Sequence, residues 1–110
     1  LVGEALAPLL PDLRVETAFQ SRFGRAKWLD PSTETVLAQE AAKGTRALAI
    51  AAPGFSADCV ETLEELAIRG REVFEEAGGK QFAVLECLNA GDAGMAMLET
   101  LVRRELGGWA

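Results

Sequence analysis

Apolar positions change rhythm several times along the chain, and each change marks a predicted element. Residues 1–10 are mostly apolar and predict a helix stopped by the Pro11–Asp12 turn. Residues 14–21 (RVETAFQS) alternate, with Val15, Ala18 and Phe19 apolar, and predict a strand. A loop, R22-F-G-R-A-K-W-L29, follows with three basic residues and two aromatic rings. Asp30 near the N-cap and Pro31 at the first helical position predict a second helix running to about Lys43, with Gly44 as its left-handed terminator. The run R46-A-L-A-I-A-A52 is apolar after its first residue, as in a strand of a parallel sheet buried on both faces.

Pro53-Gly54 closes that strand, and a third helix is expected from Asp58 to Ala77. Its predicted buried stripe is Val60, Leu63, Leu66 or Ala67, Gly70, Val73 or Phe74, and Ala77. Gly78-Gly79 ends it. A strand over 81–86, a loop over 87–94 and a helix from Met95 to about Leu106 complete the pattern. The order α-β-α-β-α-β-α, with crossovers long enough for parallel pairing, predicts a three-layer α/β unit with a small parallel sheet flanked by helices. Ligands of such sheets bind beyond the carboxyl ends of the strands, which places the loops 21–30, 53–58 and 87–94 on one rim. No internal repeat or low-complexity segment interrupts this reading.

Composition narrows what the rim could hold. The 110 residues suffice for one domain with its own core, and 49% apolar with 25% charged residues is the balance of a globular chain. A net charge of −6 opposes binding to nucleic acid or to an anionic membrane surface. No run of eighteen apolar residues predicts a membrane span. Cys59 and Cys87 form no CxxC pair and read as reduced, intracellular thiols, too few within this chain for an iron–sulfur cluster. There is no histidine, which removes the usual general base, the usual zinc ligand and every Ser–His or Cys–His nucleophile. Catalysis by these residues would run on carboxylates, arginines or a thiol. The opening residues lack Met and a basic leader, and resemble a helix cut partway, so the chain is expected to be a piece of a longer protein.

The densest chemistry lies in A52-P-G-F-S-A-D-C-V-E-T-L-E-E-L66. Asp58 and Glu61 have the spacing of a capping box, and both suit the positive end of a helix dipole. Glu61 and Glu65 share a face, with Glu72 farther along and Arg69 interposed, a continuation that a cap does not explain and that leaves a metal or proton path as the alternative. The S21-R-F-G-R-A-K-W28 loop suits a flat, anionic, aromatic ligand, with rings for stacking and Ser21 and Arg22 for a carboxylate, and equally a structural loop in which Trp28 packs into the core and the basic residues face solvent. The phosphate-loop and serine-elbow patterns are absent from P53-G-F-S56.

These segments resemble the carboxyl-terminal part of ferrochelatase, on the residues F19-Q-S-R-F-G-R-A-K-W-L29, A52-P-G-F-S-A-D-C-V-E-T-L-E-E-L66 and C87-L-N89, over roughly 13–106. The wording is similar to the Gram-negative bacterial branch. The resemblance implies a lyase of haem biosynthesis that inserts Fe(II) into protoporphyrin IX, with porphyrin held between two α/β lobes. This chain would be most of one lobe, residues 1–110. It implies Glu61 as catalytic residue and metal ligand, Asp58 and Glu65 as a proton path, and Ser21, Arg22, Trp28 and Phe55 as porphyrin-binding residues. No cofactor is implied, iron being a substrate.

Two departures qualify the carry-over. Cys59 stands where many members have histidine, and Arg69 where some continue the acidic line. The family's catalytic histidine belongs to a segment upstream, so the chain alone is expected to be inactive without an amino-terminal lobe. The resemblance further implies a cytoplasmic enzyme. Membrane association of the parent is not visible in this sequence, and a lobe without its mate is expected to self-associate. The alternatives are a chelatase loading cobalt or nickel into another tetrapyrrole, and a non-enzymatic acidic α/β module docking a basic partner through helix 58–77.

Overall fold

The computed structural model describes residues 2–20 and 26–109. Helix α1 spans Val2–Leu6, α2 Thr33–Ala42, and strand β1 Ala47–Ile50. A π-helix, Glu61–Arg69, runs directly into α3, Gly70–Glu76; strand β2 is Gln81–Val84 and α4 is Asp92–Leu106. Strands β1 and β2 pair in parallel, Ala47 with Gln81 through Ile50 with Val84. The unit is thus β-helix-β with α2 packed against the crossover helix, an α/β fold as the pattern predicted.

Five features differ from the expectations, each for a local reason. Helix α1 ends at Leu6 rather than at Pro11, because Pro8 lacks an N–H and its ring opposes the preceding turn. The strand expected over 14–21 is, among its described residues, one parallel bridge between Phe19 and Ser32. Its backbone bonds run from Phe19 N–H to the Pro31 carbonyl (2.9 Å) and from Thr33 N–H to the Phe19 carbonyl (3.0 Å). That use of Pro31 keeps it outside the helix, and the cap falls to Ser32, whose Oγ accepts the Thr35 N–H at 3.2 Å.

The third difference is in β1, which is not buried on both faces. Leu48 and Ile50 are half-buried while Ala47 and Ala49 are exposed, since α2 and α3 cover one side of the pair. The same alternation holds in β2, with Phe82 buried and Ala83 exposed. The fourth concerns the crossover helix. Its buried positions are Thr62, Leu66, Gly70 and Phe74, while Val60 and Leu63 are 61% and 57% exposed. Spacing by four runs about 40° ahead of an α-helix at each step. The wider π turn lags instead, and the Gly70 N–H reaching the Glu65 carbonyl marks the five-residue repeat. Mixed winding therefore keeps the four residues on one side: Leu66, Gly70 and Phe74 of the expected stripe are buried, while its first two positions, Val60 and Leu63, turn outward and Thr62 takes their place. Fifth, α4 begins at Asp92, three residues before Met95.

The terminators behave as the sequence predicts, with Gly44 and Gly78 at φ +96° and +105°. The core is Leu37 and Ala41 of α2, Phe74 of α3 and Phe82 of β2, with Leu48, Ile50, Val73, Ala77 and Val84 around it. Phe74 and Phe82 have ring centroids 5.8 Å apart, tilted by 38°. Gly70 lets the helix approach: a Cβ there would lie 3.3 Å from both Leu37 Cδ1 and Phe82 Cζ.

One buried charge fastens the amino-terminal segment. Glu40 of α2 is only 3% exposed. Its carboxylate accepts from Arg14, from Lys43 Nζ at 2.8 Å and from Thr45 Oγ1 at 2.9 Å. A buried carboxylate is tolerated only with its oxygens paired in this way.

Candidate functional site

The turn after β1 and the loop after β2 lie beyond the carboxyl ends of the two strands and are joined by Asp58. Its backbone N–H donates to Asn89 Oδ1 (2.8 Å), and Asn89 Nδ2 donates back to Asp58 Oδ2 (2.7 Å). The Asn89 N–H reaches the Ser56 carbonyl at 2.9 Å. Asp58 Oδ1 also takes the Thr62 hydroxyl at 2.9 Å and lies 3.5 Å from the Cys87 N–H. These bonds, Asn89 and Thr62 foremost, hold the Asp58 carboxyl below its usual range against a weaker opposing effect of burial.

The helix start is not the capping box that the spacing suggested. No side chain caps Val60, and the Asp58 carboxylate is given to Thr62 and Asn89. It is Thr62, three residues beyond Cys59, that reaches back to accept the Cys59 N–H at 3.0 Å. Leu63 N–H donates to the Cys59 carbonyl at 2.9 Å and opens the helical ladder.

Glu61 begins the π-helix half-buried. A hydrogen bond from the Cys59 thiol, and then its own N–H, hold its carboxyl below the usual value; burial pushes the other way and loses. Charge on Glu61 is therefore favoured at neutral pH. Across the rim, Gln20 Nε2 lies 3.3 Å from the Glu61 carbonyl and 3.4 Å from Glu65 Oε2. Trp28 Nε1 donates to the Gln20 carbonyl at 3.1 Å. Trp28, 38% exposed, lines a cleft of about 420 Å³ with Phe19, Lys27, Leu29, Asp30 and Ser32. Glu61 does not line that cleft; Gln20 connects the two. Phe55 is half-buried in the turn after β1, its N–H bonded to the Ala52 carbonyl at 3.0 Å.

The sequence-predicted residues thus fall into three groups. Asp58 lies in the turn just before the crossover helix and Glu61 begins it, with Glu65 one turn on and reached by Gln20. Trp28 and Phe55 stand on separate loops. Ser21 and Arg22 lie outside the described residues. Arg69, read as an interruption of the acidic line, is committed elsewhere: it lies 3.4 Å from Glu34 of α2 and 3.3 Å from Glu72. Those carboxylates, Glu72 first, raise the guanidinium above its ordinary value. The Cys87 thiol is pushed up, first by burial and then by Asp58, which keeps it protonated. Among the described residues no group of three or more acids and thiols is arranged to hold a metal on its own. A cation at Glu61 would need ligands from elsewhere. Sequence reasoning assigned no role to Gln20, Thr62 or Asn89, although all three stand inside the quoted motifs.

The Asp58 arrangement has a pH consequence. A carboxyl whose folded value lies below its unfolded one adds stability above the unfolded value and loses it as pH falls through the folded one. The contribution should fade below about pH 4. Thermal melts across acid pH should show a shallower acid loss in Asp58→Asn than in the parent chain; parallel curves would refute the assignment.

A family model, Ferrochelatase, matches residues 1–106. The chain belongs to the ferrochelatase family. It is 52% identical over 94 residues to the ferrochelatase of Chelativorans sp. (strain BNC1), covering 86% of this chain and 27% of that protein. The ferrochelatase of Methylocella silvestris is 50% identical over 96 residues, 87% of this chain and 28% of its own length. That of Rhizobium meliloti is 46% identical over 99 residues, 90% and 29%. The chain thus spans little more than a quarter of the length of these ferrochelatases from Gram-negative bacteria. No helix among the described residues is long and apolar enough to cross a membrane.

Proposed function

We propose that the protein containing this chain inserts Fe(II) into protoporphyrin IX to form protohaem. In this reading the chain is a carboxyl-terminal α/β lobe of a two-lobed cytoplasmic enzyme. Family membership supports the assignment, and so does one structural observation: the Glu61 carboxylate, favoured in its charged form, begins the π-helix beyond the carboxyl end of β1. Ferrochelatase is also the name of the relatives described above, which weighs against a cobalt or nickel chelatase and against a purely docking module.

The reaction exchanges two pyrrole protons for one metal ion, while Fe(II) sheds water. A charged carboxylate contributes to both halves. Glu61 offers oxygen to the iron substrate and accepts a proton as the metal enters. Asp58 and Glu65 continue the route for protons from the same rim. Trp28 and Phe55 supply aromatic surface to the macrocycle, and Ser21 and Arg22 address its propionates. The chain contains no histidine, so the family's histidine comes from outside these residues. No further cofactor is required.

The test compares metal insertion by the full-length protein with that by the 110-residue chain, using Fe(II) or fluorescent Zn(II) product formation. Turnover should require the full-length protein. Equal turnover by the chain alone would overturn the division of the site between lobes, and none by the full-length protein would overturn the assignment itself.

A further inference from the structure

We propose that Asn89 is a positioning residue for Glu61, acting through a clasp with Asp58 and Thr62 that closes the rim across the first turn of the π-helix. The inference rests on the reading of Glu61 as the residue that meets iron or pyrrole protons.

The clasp is defined by its bonds. Asn89 uses both ends of its side-chain amide on Asp58, accepting its N–H at 2.8 Å and donating to its Oδ2 at 2.7 Å. The second Asp58 oxygen holds the Thr62 hydroxyl at 2.9 Å. Asp58 and Thr62 flank Glu61 in sequence, so this bond spans the glutamate and limits how the turn beneath it can move. Thr62 is 2% exposed, which shields its bonds from competing water. Gln20 Nε2 also donates to the Glu61 carbonyl, at 3.3 Å.

The Asn89 end is held as firmly. Its backbone is left-handed, φ +49°, a region that Asn and Gly enter more readily than other residues. Its N–H is tied to the Ser56 carbonyl. Behind it, α4 approaches at Gly94, where a Cβ would lie 2.5 Å from the Asn89 carbonyl oxygen and 3.0 Å from that of Leu88. Residue 89 is thus fixed by its backbone, and its amide is left to reach Asp58. The residue type matters as well as the place. A carboxylate at 89 would still accept the Asp58 N–H but would face Asp58 Oδ2 with like charge.

The variants are Asn89→Gly, which keeps the left-handed backbone and removes the amide, and Asn89→Asp, which keeps the shape and replaces the bond to Asp58 Oδ2 with a like-charge contact. Both are made in the full-length protein. Displacement of a reacting group by a lost outer contact costs about 10–100-fold in activity. We expect kcat for metal insertion to fall by that factor in both variants, with porphyrin KM within about twofold and a cooperative melt retained. Hydrogen exchange at the Asp58 amide should accelerate in Asn89→Gly, a readout that needs no turnover. Wild-type kcat in either variant, or unchanged Asp58 exchange in Asn89→Gly, would overturn the proposal, as would porphyrin KM rising in step with the fall in kcat. Failure of the parent protein to insert any metal would instead overturn the functional reading, and the exchange result would still judge the clasp.

Discussion

Glu61→Gln in the full-length protein is expected to lower metal insertion by about 10²–10⁴-fold, the usual contribution of a positioned acid or base, while leaving the fold intact. The amide preserves size and can still meet the Cys59 thiol, but it carries no charge and accepts no proton from a pyrrole. Packing is little disturbed, because Glu61 is half-buried outside the core formed by Leu37, Ala41, Phe74 and Phe82. The informative measurement is paired: steady-state insertion of Fe(II) or Zn(II), and circular dichroism melting of the same preparation. A variant that melts normally and turns over like the parent would reduce Glu61 to an ornament of the helix start. The lowered carboxyl value keeps Glu61 an anion that can meet a cation, and makes it a weaker proton acceptor than an ordinary glutamate.

The second large effect concerns stability. Phe74→Ala is expected to cost about 3–5 kcal/mol, the range for emptying a large aromatic from a core. Phe74 is fully buried and stacked at an angle on Phe82. The neighbourhood is ill placed to collapse into the space. The Gly79 backbone already presses on the ring so closely that a Cβ there would lie 2.2 Å from it. Against a domain stability of about 5–15 kcal/mol such a loss is severe. Urea titration of the 110-residue chain should show a large fall in midpoint, and a midpoint unchanged from the parent would contradict the core described above.

Much of the architecture was legible because it depends on neighbours in sequence. The glycines after α2 and α3 declared their left-handed turns, and the apolar runs located β1 and β2. The Pro53-Gly54 turn and the acids after it located the rim. What could not be read depended on partners distant in the chain. Val15 and Ala18 alternate like strand residues, yet a strand needs a neighbour, and among the described residues only Phe19 finds one, at Ser32. The stripe through Val60 and Leu63 assumed α winding, and nothing in the composition announces a π turn. Asp58 and Glu61 had capping spacing, but the carboxylate of Asp58 was claimed by Asn89 from 31 residues away. Gln20 and Thr62 are ordinary polar residues until the fold brings Glu61 between them. Nothing adjacent in sequence marks Glu40 as buried; its partner Arg14 stands 26 residues away.

The two sides of the β1–β2 pair are unlike in depth. Leu48, Ile50, Phe82 and Val84 give one side a relief of long side chains, into which helices settle by interdigitation. The opposite side presents Ala47, Ala49 and Ala83 with Gln81, a surface low enough that the pleated main chain is almost its floor. A body packed on that side would meet peptide planes before it met side chains. Its fit is set by contour and by the spacing of carbonyl and amide dipoles, and a single added methylene on that floor would be felt as a step.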